Sequence, residues 1–314
     1  AHRARNREIA ALRIEDMTMT TAALDPREHG SLGTGVAAEA HSASALSSSV
    51  LMCRPEHFTV VYRINPWMHP EDPTDTALAV RQWETLYRTY LDLGLTVHHI
   101  DGLTASPDMV YAANGGFTID GIAYTTRFAH PERAAEAPAY DARLDELGFR
   151  VVRAKEINEG EGDLLPVGGA ILAGHGFRTS LAAHAELAEL TDREVVSLRL
   201  VNPSYYHLDT ALAVIDRDRE LVAYLPSAFD AESLATLQRR YPDAIIATEE
   251  DAAVFGMNAY AVGSTVVIAA QATTFPDQLR ERGYDPVGVD LSELLLGGGG
   301  VKCCTLELRA EVRS

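Results

Sequence analysis

Residues 75–100 read DTALAVRQWETLYRTYLDLGLTVHHI. A helical segment over 75–93 closes at Gly94, and a short apolar strand over 96–100 follows. The glycine fits a helix C-cap, and the β-branched residues after it suit a strand. Working outward, the same punctuation recurs. A helix over 131–147 closes at Gly148 before a strand over 150–154, and one over 180–190 precedes a strand over 195–201. A helix over 231–241 precedes 244–247, and one over 275–282 closes at Gly283 before 287–289.

Five helix-to-strand units, spaced by roughly 40 to 55 residues, predict a repeat architecture. Hairpin signals lie between them. Asp120-Gly121 separates strands over 117–119 and 122–126, and Gly168-Gly169 separates 164–167 from 170–173. A doubly wound sheet would alternate strand and helix without so many hairpins, so five mixed βα modules around a centre are expected. The preceding segment, 1–48, is rich in Ala, Ser, Thr, Gly and His from Met17 onward and lacks periodicity. It is expected to be a flexible tail, with Met17 or Met19 as alternative starts, ahead of a single catalytic domain over 49–314.

Composition narrows the function classes. With 46% hydrophobic and 23% charged residues, the 314-residue chain reads as an ordinary globular protein. No apolar run approaches the roughly 18 to 20 residues that span a bilayer, and the opening AHRARNREIAALRIEDM lacks an apolar signal core. No membrane partner is expected. Three cysteines, Cys53, Cys303 and Cys304, are too few for a disulfide framework, which points to a reducing cytoplasm. A net charge of -18 argues against nucleic acid and is compatible with attracting a small cation, or with a solvated acidic surface. A homo-oligomer is left open, since no segment specifies the oligomeric state.

Three segments and two asparagines carry candidate chemistry. In GGGGVKCCTLEL, residues 297–308, four glycines allow close approach to a ligand before a strand-like TLEL. Cys303 at that junction, beside Lys302, could hold a lowered thiol pKa and act as a nucleophile, or could be a buried structural thiol. In YYHLDT, residues 205–210, His207 and Asp209 lie two apart on an expected strand and so share one face. A histidine supported by a carboxylate suits proton transfer, although a lone His-x-Asp is often structural. Residues 159–163, EGEGD, crowd three carboxylates that a cation could neutralise. None of the histidines has a familiar ligand spacing, so no metal is expected, and a guanidinium suits paired carboxylates through bidentate bonds. Asn65 and Asn114 are polar residues among apolar ones that could orient a ligand or cap turns.

Taken in order, MCRPEHFTVVYRINPWM, SPDMVYAANGG, NEGEGD, GHGFRTS, YYHLDTALAV and GGGGVKCCTLEL resemble the guanidine-modifying, or pentein, superfamily from residue 51 to 308. That superfamily includes dimethylarginine dimethylaminohydrolases, arginine dihydrolases, arginine deiminases and amidinotransferases. The resemblance implies an α/β fold, a five-bladed α/β propeller with pseudo-fivefold repeats, in agreement with the repeat count. It implies Cys303 as nucleophile, His207 as catalytic histidine and Glu159 as the acidic residue, with Glu161 at a variable position. It implies Asp209 as a carboxylate that holds the guanidinium and Asp163, closing the Glu-Gly-x-Gly-Asp motif, as a further substrate-binding residue; Asn114 stands where deiminases carry an aspartate, and Asn65 lies in the INPWM stretch, both as substrate-binding residues. Arg127 and Arg178 match arginines that grip a substrate α-carboxylate.

The reaction so implied is hydrolysis at the guanidinium carbon of arginine or Nω-methylated arginine through a covalent thiouronium intermediate, with no metal or organic cofactor. Asn65 and Asn114 in place of acids look most like arginine dihydrolases, while chains of this kind are also grouped with dimethylargininases. An amidinotransferase would use the same Cys303 intermediate with an amine acceptor, and an arginine sensor would keep the acids without turnover.

Overall fold

The computed structural model describes residues 49–310, so the tail expected over 1–48 lies outside the described residues. Helix α1 (Thr76–Asp92) begins where the Asp75 carboxylate accepts from the Leu78 N–H at 2.9 Å. It ends at Gly94, φ +82°, beyond which the Leu95 N–H turns back to the Tyr90 carbonyl at 3.0 Å. Helices α2 (Ala137–Glu146) and α5 (Phe275–Glu281) close in the same way, at Gly148 and Gly283. Between them come α3 (Leu181–Thr191), which ends on Asp192 at φ +52°, and α4 (Ala231–Arg240). The helix expected over 131–147 is split: Pro131–Glu136 is a 3-10 turn. In such a turn residues three apart eclipse, which sets the Arg133 guanidinium against the Glu136 carboxylate at 2.8 Å.

Five three-stranded sheets follow one plan. A hairpin supplies an antiparallel pair, and a later strand joins parallel to its second member. Gly116–Ile119 and Ile122–Thr125 receive Arg150–Arg153. Leu164–Val167 and Ala170–His175 receive Glu194–Arg199. Leu212–Asp216 and Leu221–Tyr224 receive Ile245–Ile246. Tyr260–Val262 and Thr265–Ala269 receive Asp285–Val289. The last sheet is assembled from both ends of the described chain. Leu306–Leu308 lies antiparallel to Ser49–Cys53, which pairs in parallel with Thr96–Ile100.

Apolar side chains bridge each sheet to the next in a closed circuit. Leu51 and Ile100 pack with Ala123 and Tyr140, and Phe117 and Tyr124 pack with Leu164 and Ile171. Leu172 and Val196 share a cluster with Val222, which continues to Val266 and Ile268. Val267 and Val289 then return to Val50 and Met52. This ring is the five-bladed α/β propeller. Its consequence for function lies in the turns that enter the first strand of each hairpin pair: they bring residues 114, 159–163, 207–209, 258 and 303 together.

Candidate active site

Cys303 is buried in the turn before Leu306–Leu308. Its thiol donates to Asp209 Oδ2 at 3.3 Å, and Asn258 Nδ2 donates to its sulfur at 3.1 Å. Burial, and then the adjacent Asp209 carboxylate, push the thiol well above its ordinary pKa. Lys302, expected from sequence to depress it, instead donates to Glu161 Oε2 at 2.5 Å and to the Thr305 carbonyl.

His207 and Asp209 do not share a strand as expected. A single helical turn, Leu208–Ala211, intervenes, and the strand begins at Leu212. The Asp163 carboxylate accepts from the Leu208 N–H at 3.0 Å, and the Thr210 hydroxyl donates back to the His207 carbonyl at 2.7 Å. Such local bonds offer the backbone an alternative to the sheet ladder. Asp163, whose other oxygen accepts from Thr179 at 2.7 Å, is thereby a support for this turn and does not line the cavity.

Glu159 and Glu161 have different surroundings. The Glu159 carboxylate accepts from His207 Nε2 at 2.8 Å and from Arg178 Nη1 at 3.0 Å. Burial would raise its pKa, but Arg178 and His207 more than offset this and hold the carboxyl well below the usual range. Glu161 faces a different environment, a buried ionic cluster with Lys302 and Arg309 behind the C-terminal strand. The turn between them needs glycine: Gly160 has φ +56°, and a Cβ there would lie 2.4 Å from the Gly116 carbonyl oxygen.

Asn114 lines the cavity, accepting from Arg133 Nη1 at 2.7 Å and donating to the Glu159 carbonyl at 3.2 Å. Asn65 also lines it, but its amide is occupied. Nδ2 donates to the Tyr206 hydroxyl and the Gly297 carbonyl, and Oδ1 accepts from the Trp67 and Met68 N–H groups. Arg178 lines the cavity and holds the Ile64 carbonyl at 2.8 Å. Arg127 does not: it is exposed, and its guanidinium donates to the Lys155 carbonyl. Arg133 occupies the cavity wall instead, buried and held by both oxygens of Glu136.

Four residues escaped the sequence reading. Arg133 and Glu136 stand three apart in a segment that reads equally as a solvated helix face. Asp108 lies inside a motif noted for its asparagine. Asn258 sits before a strand in GMNAYAV, a neighbourhood without charge, and only its place in the fifth module marks it.

Three buried carboxylate oxygens have no hydrogen-bond donor among the described residues: Asp209 Oδ1 beside Cys303, Asp108 Oδ1 on the cavity wall, and Asp141 Oδ1 on α2. Burial raises Asp209 to about 6, against the opposing pull of His207 and Lys302. Burial also raises Asp108, whose other oxygen accepts from the Tyr62 hydroxyl at 3.0 Å. The cavity lined by Asp108, Asn114, His207 and Cys303 is about 10 Å3, room for little more than one water, and Asp209 reaches it only through its contact with Cys303. Ile64, Asn65 and Met68 line one side of it, and next to them Trp67 Nε1 donates to the Ser204 carbonyl at 2.8 Å. Among the described residues, no group of three or more His, Cys, Asp or Glu side chains is arranged to hold a metal ion.

Known proteins are similar to this chain in sequence and in shape. The family model described as N,N dimethylarginine dimethylhydrolase, eukaryotic, matches residues 64–310. The N(G),N(G)-dimethylarginine dimethylaminohydrolase of Mycobacterium tuberculosis is 51% identical over 82% of this chain and 84% of its own length. The bifunctional arginine dihydrolase/ornithine cyclodeaminase ArgZ of Synechocystis sp. is 36% identical over 82% of this chain, which spans 37% of that longer protein. The N-terminal domain of ArgZ, in a structure covalently bound to a reaction intermediate, superposes with a TM-score of 0.80 at 35% identity, covering 84% of this chain and 98% of that one.

Proposed function

The chain belongs to the dimethylarginine dimethylaminohydrolase family, and from that premise we propose how its own residues carry cysteine-dependent hydrolysis at the guanidinium carbon of arginine or an Nω-methylated arginine. One observation carries the assignment of roles. A buried thiol adjoins a buried carboxylate whose second oxygen lacks a donor, and a planar cation rich in N–H groups satisfies that oxygen.

The guanidinium enters over Cys303 and donates to Asp209 Oδ1. Its positive charge offsets the Asp209 carboxylate and favours the thiolate, and Cys303 gives its proton to solvent as substrate binds. The thiolate attacks the central carbon and forms an S–C bond. His207, held by Glu159, protonates the departing amine, the C–N bond breaks, and a thiouronium remains on Cys303. His207 then takes a proton from water, which attacks the same carbon and releases the thiolate. Arg178 and Arg133 supply positive charge for the α-carboxylate, and the free oxygen of Asp108 complements the α-ammonium. The substrate is thus a small cation bound by the domain over 49–310. A cytoplasmic setting suits a chain whose three cysteines are free thiols.

The dimethylargininase reading, in which dimethylamine leaves and citrulline remains, rests on the 51%-identical mycobacterial relative. The dihydrolase reading rests on a neutral Asn114 and on the likeness to ArgZ. Asn65 weighs against any direct part in a second hydrolysis, since its amide is already fully engaged. The test is product identification by mass after separate incubation with asymmetric dimethylarginine and arginine. Citrulline from the former, with arginine untouched, is the expected result. Ornithine from arginine would establish the dihydrolase, and turnover that depends stoichiometrically on an added amine would overturn hydrolysis in favour of amidino transfer.

A further inference from the structure

Four of the five turns at the centre of the ring hold groups already discussed: Asn114, Glu159, His207 with Asp209, and Cys303. The fifth, before Tyr260–Val262, holds Asn258, whose side chain is fully buried. Its amide is spent on the nucleophile and its neighbour. Oδ1 accepts from the Cys303 N–H at 3.0 Å, while Nδ2 donates to Cys303 Sγ at 3.1 Å and to the Asp209 carbonyl at 3.0 Å. Its own carbonyl accepts from the Lys302 N–H at 3.2 Å. The same side chain therefore fixes the turn that carries the sulfur and aims an N–H at the sulfur itself.

We propose that Asn258 is a catalytic residue of this reaction, the neutral donor that holds Cys303 sulfur in line and stabilises its thiolate once the cationic substrate is bound. This rests on the reading of Cys303 as nucleophile. A neutral amide is the chemistry the position requires. A lysine or arginine here would stabilise a thiolate better in isolation, but would repel the incoming guanidinium at a few ångströms in a buried site. An aspartate would fit the space and keep the acceptor for the Cys303 N–H, but would put a second negative charge against the sulfur beside Asp209. An amide donates to the thiolate and leaves the substrate's charge unopposed. A hydrogen bond to a charged partner of this kind corresponds to roughly ten- to hundredfold in the thiol–thiolate equilibrium.

The experiment measures alkylation of Cys303 by iodoacetamide across pH in wild type, Asn258→Ala and Asn258→Asp, alongside kcat, KM and Tm with the substrate that wild type turns over. For Asn258→Ala the alkylation profile is expected to move up by about one pH unit, a tenfold slower reaction at fixed pH. kcat should fall at least about tenfold and partly recover as pH rises, while KM changes little. Asn258→Asp preserves the shape and keeps the variant set informative if the alanine variant folds poorly; its profile should move further still. A lowered Tm with unmoved alkylation profiles in the folded variants would make Asn258 a structural clamp and overturn the proposal. Cys303→Ala separates the two readings: if it retains turnover, the nucleophile assignment fails first, and if it is inactive while both Asn258 profiles match wild type, only the present proposal fails.

Discussion

At the residue scale the site holds several charges against their solvation preference, and the signs differ. Asp209, raised to about 6 from an ordinary 3.8, is folded more readily when protonated. Its contribution to stability is fully present below about 3.8 and is lost as pH rises through about 6. Asp209→Asn is therefore expected to raise the Tm of the unliganded protein at pH 7.5, with the difference shrinking toward pH 4. The same change should lower kcat/KM by about a hundredfold or more, since a charge-assisted bond to the guanidinium is lost. Thermal melts across pH, paired with rate measurements, check both signs. A variant both less stable at pH 7.5 and fully active would contradict the assignment. Glu159 stands the other way: its carboxyl is held down by Arg178 and His207, so its stabilising share is present above the ordinary carboxylate range and fades as pH falls. The motifs single out Cys303, His207, Glu159 and Asp209, which the fold brings together. Nothing local distinguishes Arg133, buried in the cavity wall, from Arg127, which is exposed, because only burial separates them.

At the element scale the helix ends were the most legible feature, because a glycine after a helical run is a local signal with a local cause. Gly94, Gly148 and Gly283 all adopt φ between +82° and +88°. Asp192 adopts φ +52° at the corresponding end of α3 and carries a Cβ that the conformation disfavours. Asp192→Gly should stabilise the fold by several tenths to about 1 kcal/mol, and Gly94→Ala should destabilise it by about 1 kcal/mol. Urea unfolding measures both, and kcat should stay at the wild-type value in each. Loss of stability in Asp192→Gly would mean that its side chain does more than tolerate the turn. The turns entering the strands were less legible. His207 and Asp209 looked like alternating strand residues, and the helical turn between them depends on Asp163, more than 40 residues earlier in the chain. A pairing of that span leaves no period in the local sequence.

At the scale of the whole molecule, five modules each too small to bury a core alone close into a ring and share their apolar clusters. Closure depends on Leu306–Leu308 pairing with Ser49–Cys53 across nearly the full described chain, with Ser49 opposite Leu308. The repeat count was readable because each unit announces itself; the closing register was not, since neither strand carries a signal for the other. Closure also delivers the chemistry, for it sets Cys303 beside the turns before Leu212–Asp216 and Tyr260–Val262, which hold Asp209 and Asn258. The central claim is that these residues, distant in sequence, act as one site in which Cys303 bonds to the guanidinium carbon. The most direct measurement is the mass of the Cys303-bearing peptide from enzyme quenched in acid during turnover. An amidino-type adduct on that peptide, absent without substrate and absent from an inactive Cys303→Ala variant, is the predicted result. Steady turnover by Cys303→Ala, or an adduct on Cys304 or Cys53 alone, would contradict it.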